Sequence, residues 1–258
     1  MKVIIAGAAR DIAKYWENTK RSLDIIFKSV DDYLCIIVES NSSDNSLECL
    51  NNWAINDPKK VIISLGKQDS IIRTQRIAAA RNTYLNYIND NKLDEIYDYL
   101  LVVDLDDALN IEDNFKEQLE SCFKIKDWDA MASNRKNNYY DIWALRSNSD
   151  ILKCDFDCIN IDYKIIKIKS PYSKNLVIVK KVRIKNELLN NYLNNPEILH
   201  KNVPRNYGFI PCTSAFGGMA LYKLKSIKYR KYNGDHTCEH ISFNVGLQMY
   251  INSEFISG

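Results

Sequence analysis

Three carboxylates, Asp104, Asp106 and Asp107, follow directly on the apolar run Tyr99–Val103. Asp104 and Asp106 lie two residues apart, so in an extended chain their side chains point to the same side. Two carboxylates on one side can hold a hard divalent cation, Mg²⁺ or Mn²⁺, which in turn can bridge phosphate oxygens. A D-x-D can equally be an acidic turn that caps a helix, so the other polar groups of the chain must decide. Glu39 closes a second apolar run, Tyr33–Val38, and can accept hydrogen bonds from a ribose or a base; alternatively its charge serves the start of the next helix. Arg73, Arg76 and Arg81 lie on one predicted helix, the first two sharing a face at i, i+3. Their planar guanidinium groups match phosphate and carboxylate oxygens, or else make a solvated face. Arg81 is the harder to dismiss, because it follows the tightly packing Ala78-Ala79-Ala80. Tyr139, Tyr140, Asp141 and Trp143 could form a platform, with aromatic faces for stacking and Asp141 for a hydroxyl, or could be a core strand. Finally His236-Thr237-Cys238-Glu239-His240 sets a carboxylate between two imidazoles. A carboxylate within hydrogen-bond reach of a hydroxyl can take its proton.

These residues need a frame to bring them together. Lys2–Ala8 predicts a strand, in which Gly7 with its small neighbours lets something approach the backbone closely. Tyr15–Ser29 carries a helical apolar face at Trp16, Leu23, Ile26 and Phe27. Tyr33–Val38 predicts a buried strand, followed by a polar turn with Ser43 or Asp44 as cap and a helix over Leu47–Ile55. Val61–Leu65 is a third strand. Ser70–Asn89 is a strong helix with the stripe Ile77, Ala80, Tyr84 and Ile88, and Tyr99–Val103 is the fourth strand. Strands alternating with helices imply a parallel sheet with right-handed crossovers. Ligands of such sheets bind beyond the carboxyl ends of the strands, where Glu39, Asp104 and Asp106 fall.

Beyond residue 110 the pattern changes to mixed β. It predicts a helix over Ile111–Phe123 and strands over Ala130–Ser133, Tyr139–Leu145 and Ala220–Tyr222. A basic hairpin pairs Tyr163–Ile168 with Leu176–Ile184, either as a solvated edge or as a clamp over an anionic ligand. A short helix is expected over Glu187–Leu193, and a helix or strand over His240–Tyr250. The expectation is one domain, 1–258, in two halves, 1–110 and 111–258.

Composition narrows the class. The 258 residues are 46% hydrophobic and 26% charged, as in ordinary soluble globular proteins. A net charge of +2 gives no bulk attraction to nucleic acid. Seven cysteines with no C-x-x-C spacing point to reduced thiols and a cytoplasmic chain. There is no basic leader with a long apolar region, so no signal peptide is expected. No run of about 18 apolar residues offers a transmembrane helix.

In order, the segments VIIAGAAR, IIVESNSSDNS, RIAAARN and LLVVDLDDAL resemble a nucleotide-sugar-dependent glycosyltransferase of the GT-A type. They are most similar to the family-two-like enzymes and the fungal capsule mannosyltransferase group. The resemblance covers residues 1–110 and weakens beyond them. It implies an α/β GT-A fold: a Rossmann-like, mainly parallel sheet flanked by helices, with a mixed β acceptor-side half. It also implies a UDP- or GDP-linked sugar as donor and a hydroxyl of a glycan, protein or lipid as acceptor. On this resemblance the donor would be held by Ala6, Gly7, Glu39, Arg73, Arg81, Asp104, Leu105 and Asp106. Mn²⁺ or Mg²⁺ would be held by Asp104 and Asp106, completed by His236 or His240. Glu239 would be the general base of an inverting transfer, with Asp141 next in line. The acceptor would meet Tyr140, Trp143 and the Gly217-Gly218 turn. Two features depart from the pattern: Glu39 stands where Asp is usual, and no Q-x-x-R-W motif suggests a processive polysaccharide synthase.

Three other readings compete. H-x-x-E-H is also the inverzincin protease signature, but Asn233-Gly234 before it predicts a turn, and the α/β half would go unexplained. A sugar-nucleotide pyrophosphorylase would carry a glycine-rich segment after the first strand, where AGAARD has one glycine. A catalytically inactive nucleotide-sugar-binding module would keep the donor half and lose transfer.

Overall fold

The computed structural model of the chain describes residues 1–70, 72–139, 141–154, 161–170, 173–183 and 202–258. The first half is the expected alternation. β1 (Lys2–Ala9), β2 (Asp32–Glu39), β3 (Lys60–Ser64) and β4 (Tyr99–Val103) are joined through α1 (Trp16–Lys28), α2 (Ser46–Ala54) and α3 (Arg73–Asp90). β1 lies between β2 and β4, parallel to both, and β3 extends the sheet beyond β2.

The second half completes the sheet with mixed polarity. After α4 (Phe115–Ser121) come β5 (Ala130–Asn134), the short pair β6 (Ser147–Asn148) and β7 (Lys153–Cys154), and the hairpin β8 (Ile161–Ser170) with β9 (Ser173–Arg183). Then follow β10 (Phe209–Cys212), β11 (Met219–Lys223), α5 (Leu224–Ile227), α6 (Glu239–Asn244) and β12 (Met249–Ile256). Among the described residues the main sheet has eight strands in the order β10-β12-β5-β11-β4-β1-β2-β3. β11 runs antiparallel to both β4 and β5, and β12 runs parallel to β5.

Both faces of the sheet are covered, which is why its strands read as unbroken apolar runs. On β2, Leu34, Ile36 and Val38 face the core shared with Ala78, Tyr84 and Ile88 of α3. Cys35 and Ile37, at the alternate positions, face the core shared with Leu23 and Ile26 of α1 and Phe115 of α4.

Three expectations change. No strand forms over the described residues of Tyr139–Leu145: residues 142–144 make a turn, in which Asp141 Oδ1 accepts the Ala144 N–H at 3.3 Å. An Asp that bonds the backbone ahead of it stabilises a turn, and it overrides the apolar alternation. The helix expected from Ile111 begins at Phe115, because upstream amides bond elsewhere: Asn110 N–H to Ser257 O and Ile111 N–H to Ser22 Oγ. The late segment resolves into both alternatives, helix α6 and then strand β12. The hairpin forms, with Ile168 opposite Leu176. The helix expected at Glu187–Leu193 and residue Tyr140 lie outside the described residues.

Candidate active site

A cleft of about 680 Å³ opens at the carboxyl ends of β1 and β4. Beyond β4, Asp104, Leu105 and Asp106 all line it. The Asp104 backbone N–H donates to Gly218 O at 2.9 Å, which continues the β4–β11 pairing past the strand. Its side chain keeps about a third of its surface, 31%, exposed. Burial pushes the Asp104 carboxyl up to about 7; Arg81 pulls against this, while Asp106, Asp141 and Glu239 add to it. Asp106 is exposed, and its Oδ1 accepts the Ala108 N–H at 3.0 Å. The D-x-D is therefore a turn and a cleft wall at once.

Arg81 is the centre of the site. It sits on α3, 4% exposed, with its guanidinium 5.0 Å from the Phe216 ring centroid and 5.6 Å from that of Tyr232. Nη2 donates to Asp104 Oδ1 and Nε to Glu239 Oε1, each at 3.2 Å. Its Nη1 is buried and has no hydrogen-bond partner among the described residues. One guanidinium thus joins two carboxylates that lie 23 and 158 residues away in sequence. Removing one partner of such a buried pair typically costs about 3–5 kcal/mol, because the other charge is left uncompensated. Arg73 and Arg76 line the same cleft nearer the start of α3. Arg73 is exposed, and Arg76 Nη1 donates to Ser70 O at 2.9 Å.

The Glu239 segment is docked on α3 by sequence-remote bonds. Asn82 clamps Tyr232, accepting its N–H at 2.8 Å and donating to its O at 2.9 Å. Thr74 Oγ1 donates to Gly234 O at 2.6 Å. Glu239 itself lines the cleft and is 5% exposed. His240, beside it, is also in the cleft wall and 2% exposed, stacked on Phe216 at 4.0 Å. Burial holds its imidazole well below the ordinary histidine value, with Arg81 adding to the effect, so the ring is neutral. Both its nitrogens are without hydrogen-bond partners among the described residues, and Nε2 lies 3.8 Å from Glu239 Oε1. His236 is exposed and is not part of the cleft lining.

Asp141 and Trp143 also line the cleft, and Trp143 is 46% exposed. Asp141 accepts backbone N–H groups from Ala144 and, at 3.2 Å, from Gly217. Burial raises its carboxyl above the usual range, against those two bonds.

Several expected contacts fall elsewhere. Ala6 is fully buried in the α3-side core. Gly7 is needed for packing: a Cβ there would lie 2.7 Å from Leu105 Cδ1 and 2.9 Å from Val103 O. Neither residue lines the cleft. Glu39 is 2% exposed and spends its carboxylate on the Ser42 N–H at 2.6 Å and the Ser64 hydroxyl at 2.9 Å. Ser40, next along, reaches the cleft instead. Gly217 (φ 67°) and Gly218 (φ 90°) form a buried turn in which a Cβ on Gly217 would lie 2.4 Å from Ser133 O. That turn holds Asp141 from behind and does not face the cleft.

Sequence reasoning missed the β1 loop. Arg10, Asp11 and Ile12 line the cleft, with Arg10 Nε 3.5 Å from Asp11. Asp11 takes a left-handed conformation (φ 53°) and accepts from the Ser43 N–H at 2.6 Å. The Ile12 N–H donates to Ser46 Oγ at 2.7 Å, so this loop is stitched to the one after β2. The signal was available: the rule that strand carboxyl ends carry the site applies to A-A-R-D after β1 as it does to β2 and β4.

No protein-family model matches the chain, and no curated protein matches it in sequence. Solved structures do. Crystal structures of S. aureus TarS 1-349 superpose over 98% of this chain: one with a TM-score of 0.50 at 13% identity, and one in complex with UDP-GlcNAc with a TM-score of 0.51 at 14% identity. The fold is the GT-A fold of glycosyltransferases. It is the fold expected from the four ordered segments of the first half. At this identity the likeness is one of fold, and the chain spans 58% and 56% of those two TarS chains. Among the described residues no helix is long and apolar enough to cross a membrane.

Proposed function

We propose that this chain transfers a sugar from a nucleoside-diphosphate sugar to an acceptor hydroxyl. The observation that carries the reading is the convergence on one cleft of the β4 carboxylates, an arginine rim and two further acids, Glu239 and Asp141. The rim, Arg10, Arg73 and Arg76, suits the oxygens of a diphosphate.

Among the described residues no three His, Cys, Asp or Glu side chains converge as a complete metal cage. The donor set still fits a hard divalent cation. Mg²⁺-type ions are commonly held by one or two carboxylates together with substrate phosphates, and Asp104 and Asp106 supply two carboxylates from one turn. Of the two candidate imidazoles only His240 lies in the cleft wall, and it does not converge with the two carboxylates. The chemistry a cation supplies there is neutralisation of charge on the leaving diphosphate.

Arg81 adds a fixed positive charge beneath the same point, and a preorganised charge in a water-poor site costs no reorganisation during the reaction. Glu239 takes the proton of the acceptor hydroxyl. Arg81 holds Oε1, which fixes the carboxylate in place, and a base must be held within hydrogen-bond reach of its proton. A single displacement with the base opposite the diphosphate inverts the anomeric centre. Trp143 offers its exposed face to the acceptor ring. Asp141 is the second candidate for the base, favoured by one observation: burial raises its carboxyl above the usual carboxylate range, which strengthens it as a base.

The test is a thermal-shift screen against UDP- and GDP-sugars with and without Mn²⁺, followed by transfer assays on the hits. A bound donor stabilises the fold by mass action. Stabilisation without hydrolysis or transfer would leave a nucleotide-sugar-binding module, and no stabilisation by any sugar nucleotide would end the proposal.

A further inference from the structure

Arg81 is a costly residue to keep for donor binding alone. The residue is 4% exposed, and its guanidinium lies against the Phe216 and Tyr232 rings and already spends two donors on Asp104 and Glu239. A guanidinium cannot shed its charge by deprotonation, and burial leaves that charge poorly screened. The same Asp104 is one of only two carboxylates that the β4 turn brings to the cleft lining. A divalent cation arriving alone would therefore share Asp104 with a permanent positive charge already in place. No third metal-ligating side chain among the described residues joins the pair to offset it.

We propose that Arg81 is a positioning residue that serves as an internal counter-ion to Asp104. It keeps the cation site weak in the free protein, so that cation and nucleoside diphosphate are bound together. The proposal rests on the reading of the cleft as a cation-assisted donor site. The phosphates carry the negative charge that offsets both cations. They also offer an acceptor of the kind that the unpartnered Nη1 lacks. The link to Glu239 makes the same guanidinium report donor occupancy to the acid on the acceptor side.

Isothermal calorimetry with Mn²⁺ alone, and with Mn²⁺ plus UDP or GDP, tests this on the wild-type chain, Arg81→Gln and Arg81→Gln/Glu239→Gln. The double variant removes both charges of the inner pair, so it keeps the test open if the single variant does not fold. One adjacent charge shifts the proton affinity of a carboxylate by about ten- to a thousandfold. Affinity for Mn²⁺ alone should accordingly rise about tenfold or more in the variants, and the gain that UDP or GDP adds to Mn²⁺ binding should shrink. A purely structural role for Arg81 would lower Mn²⁺ affinity, never raise it. Adding Asp106→Ala to the double variant should remove the gain. Unchanged or weaker Mn²⁺ binding in the folded variants overturns the counter-ion role, as does a gain that survives Asp106→Ala. If wild-type binding of Mn²⁺ with nucleotide is sensitive to Asp106→Ala but the Arg81 variants show no gain, only the counter-ion role falls. If wild-type protein binds neither nucleotide with Mn²⁺, the donor-site reading falls with it.

Discussion

Glu39 and Asp104 stand at comparable places, at the carboxyl ends of the two strands that flank β1, and they differ in how their oxygens are spent. Glu39 gives both oxygens to the protein, to the Ser42 amide and the Ser64 hydroxyl, and is sealed from the cleft. Asp104 gives one oxygen to Arg81, keeps 31% of its side chain exposed and faces the cleft. Both acids satisfy the rule of strand ends. What separates a structural acid from a candidate ligand is the lone pairs left over once the fold has been served. For this pair, two occupied oxygens sealed from the cleft mark the structural acid, and an unspent oxygen beside the cleft marks the candidate ligand.

The largest effect that would sharpen this contrast is expected from Asp106→Ala. It should abolish Mn²⁺-dependent binding of UDP or GDP in calorimetry, while the melting temperature of the free protein changes little, because the lost bond to the Ala108 N–H is exposed. Retained binding would break the comparison, since the exposed acids of the β4 turn would then be as structural as Glu39. Next, Glu239→Gln should lower single-turnover transfer by about 10²- to 10⁴-fold with nucleotide affinity kept, the usual range for a general base. If Asp141→Asn shows that loss in its place, the base is Asp141. Glu39→Gln should do the reverse: unfolding by urea should show a loss of about 1–3 kcal/mol, the penalty for an unsatisfied buried partner, with nucleotide affinity unchanged. A drop in nucleotide affinity at equal stability would return Glu39 to the site.

The smallest effect concerns acid stability. His240 is held neutral in the fold, well below the ordinary 6.5. A group depressed in this way contributes stability that is present above 6.5 and is lost as pH falls below it, because the unfolded chain takes up the proton first. Thermal melts should show that loss between about pH 6.5 and 5, and His240→Phe should flatten it. An unaltered acid limb in His240→Phe would assign the dependence to other groups.

The parts legible in sequence share a physical signature. β1 to β4 were readable because strands covered on both faces must be apolar throughout, and α3 because its buried stripe repeats at helical spacing. Asp104 and Asp106 were readable because acids that follow such a strand have few places to go. Trp143 was placed in the cleft by its chemistry but in the wrong element, since a single Asp141–Ala144 bond makes a turn of a segment whose apolar alternation suits a strand. Gly7 and Gly217 illustrate a different limit. Each shows only that something comes close, and in both cases the neighbour is protein: Leu105 for Gly7 and Ser133 for Gly217. The Arg81–Glu239 pair spans 158 residues, and no local period announces it.

The docking of the Tyr232–His240 segment on α3 has a consequence in time. Thr74 is bonded to Gly234, Gln75 to Asp235, Asn82 to Tyr232 and Arg81 to Glu239, so the N-terminal part of one helix receives the segment. Contacts this distant in sequence form slowly, because a long loop must close before they repay its entropy. On a ribosome, α3 emerges and packs while its second carboxylate is still unmade, and Arg81 waits with Asp104 alone. A Cβ on Gly234 would lie 2.3 Å from the Thr74 backbone, so even a small obstruction there would hold the segment off. The candidate base therefore joins the cleft last, in one late closing event, after α3 and the β4 turn have been made.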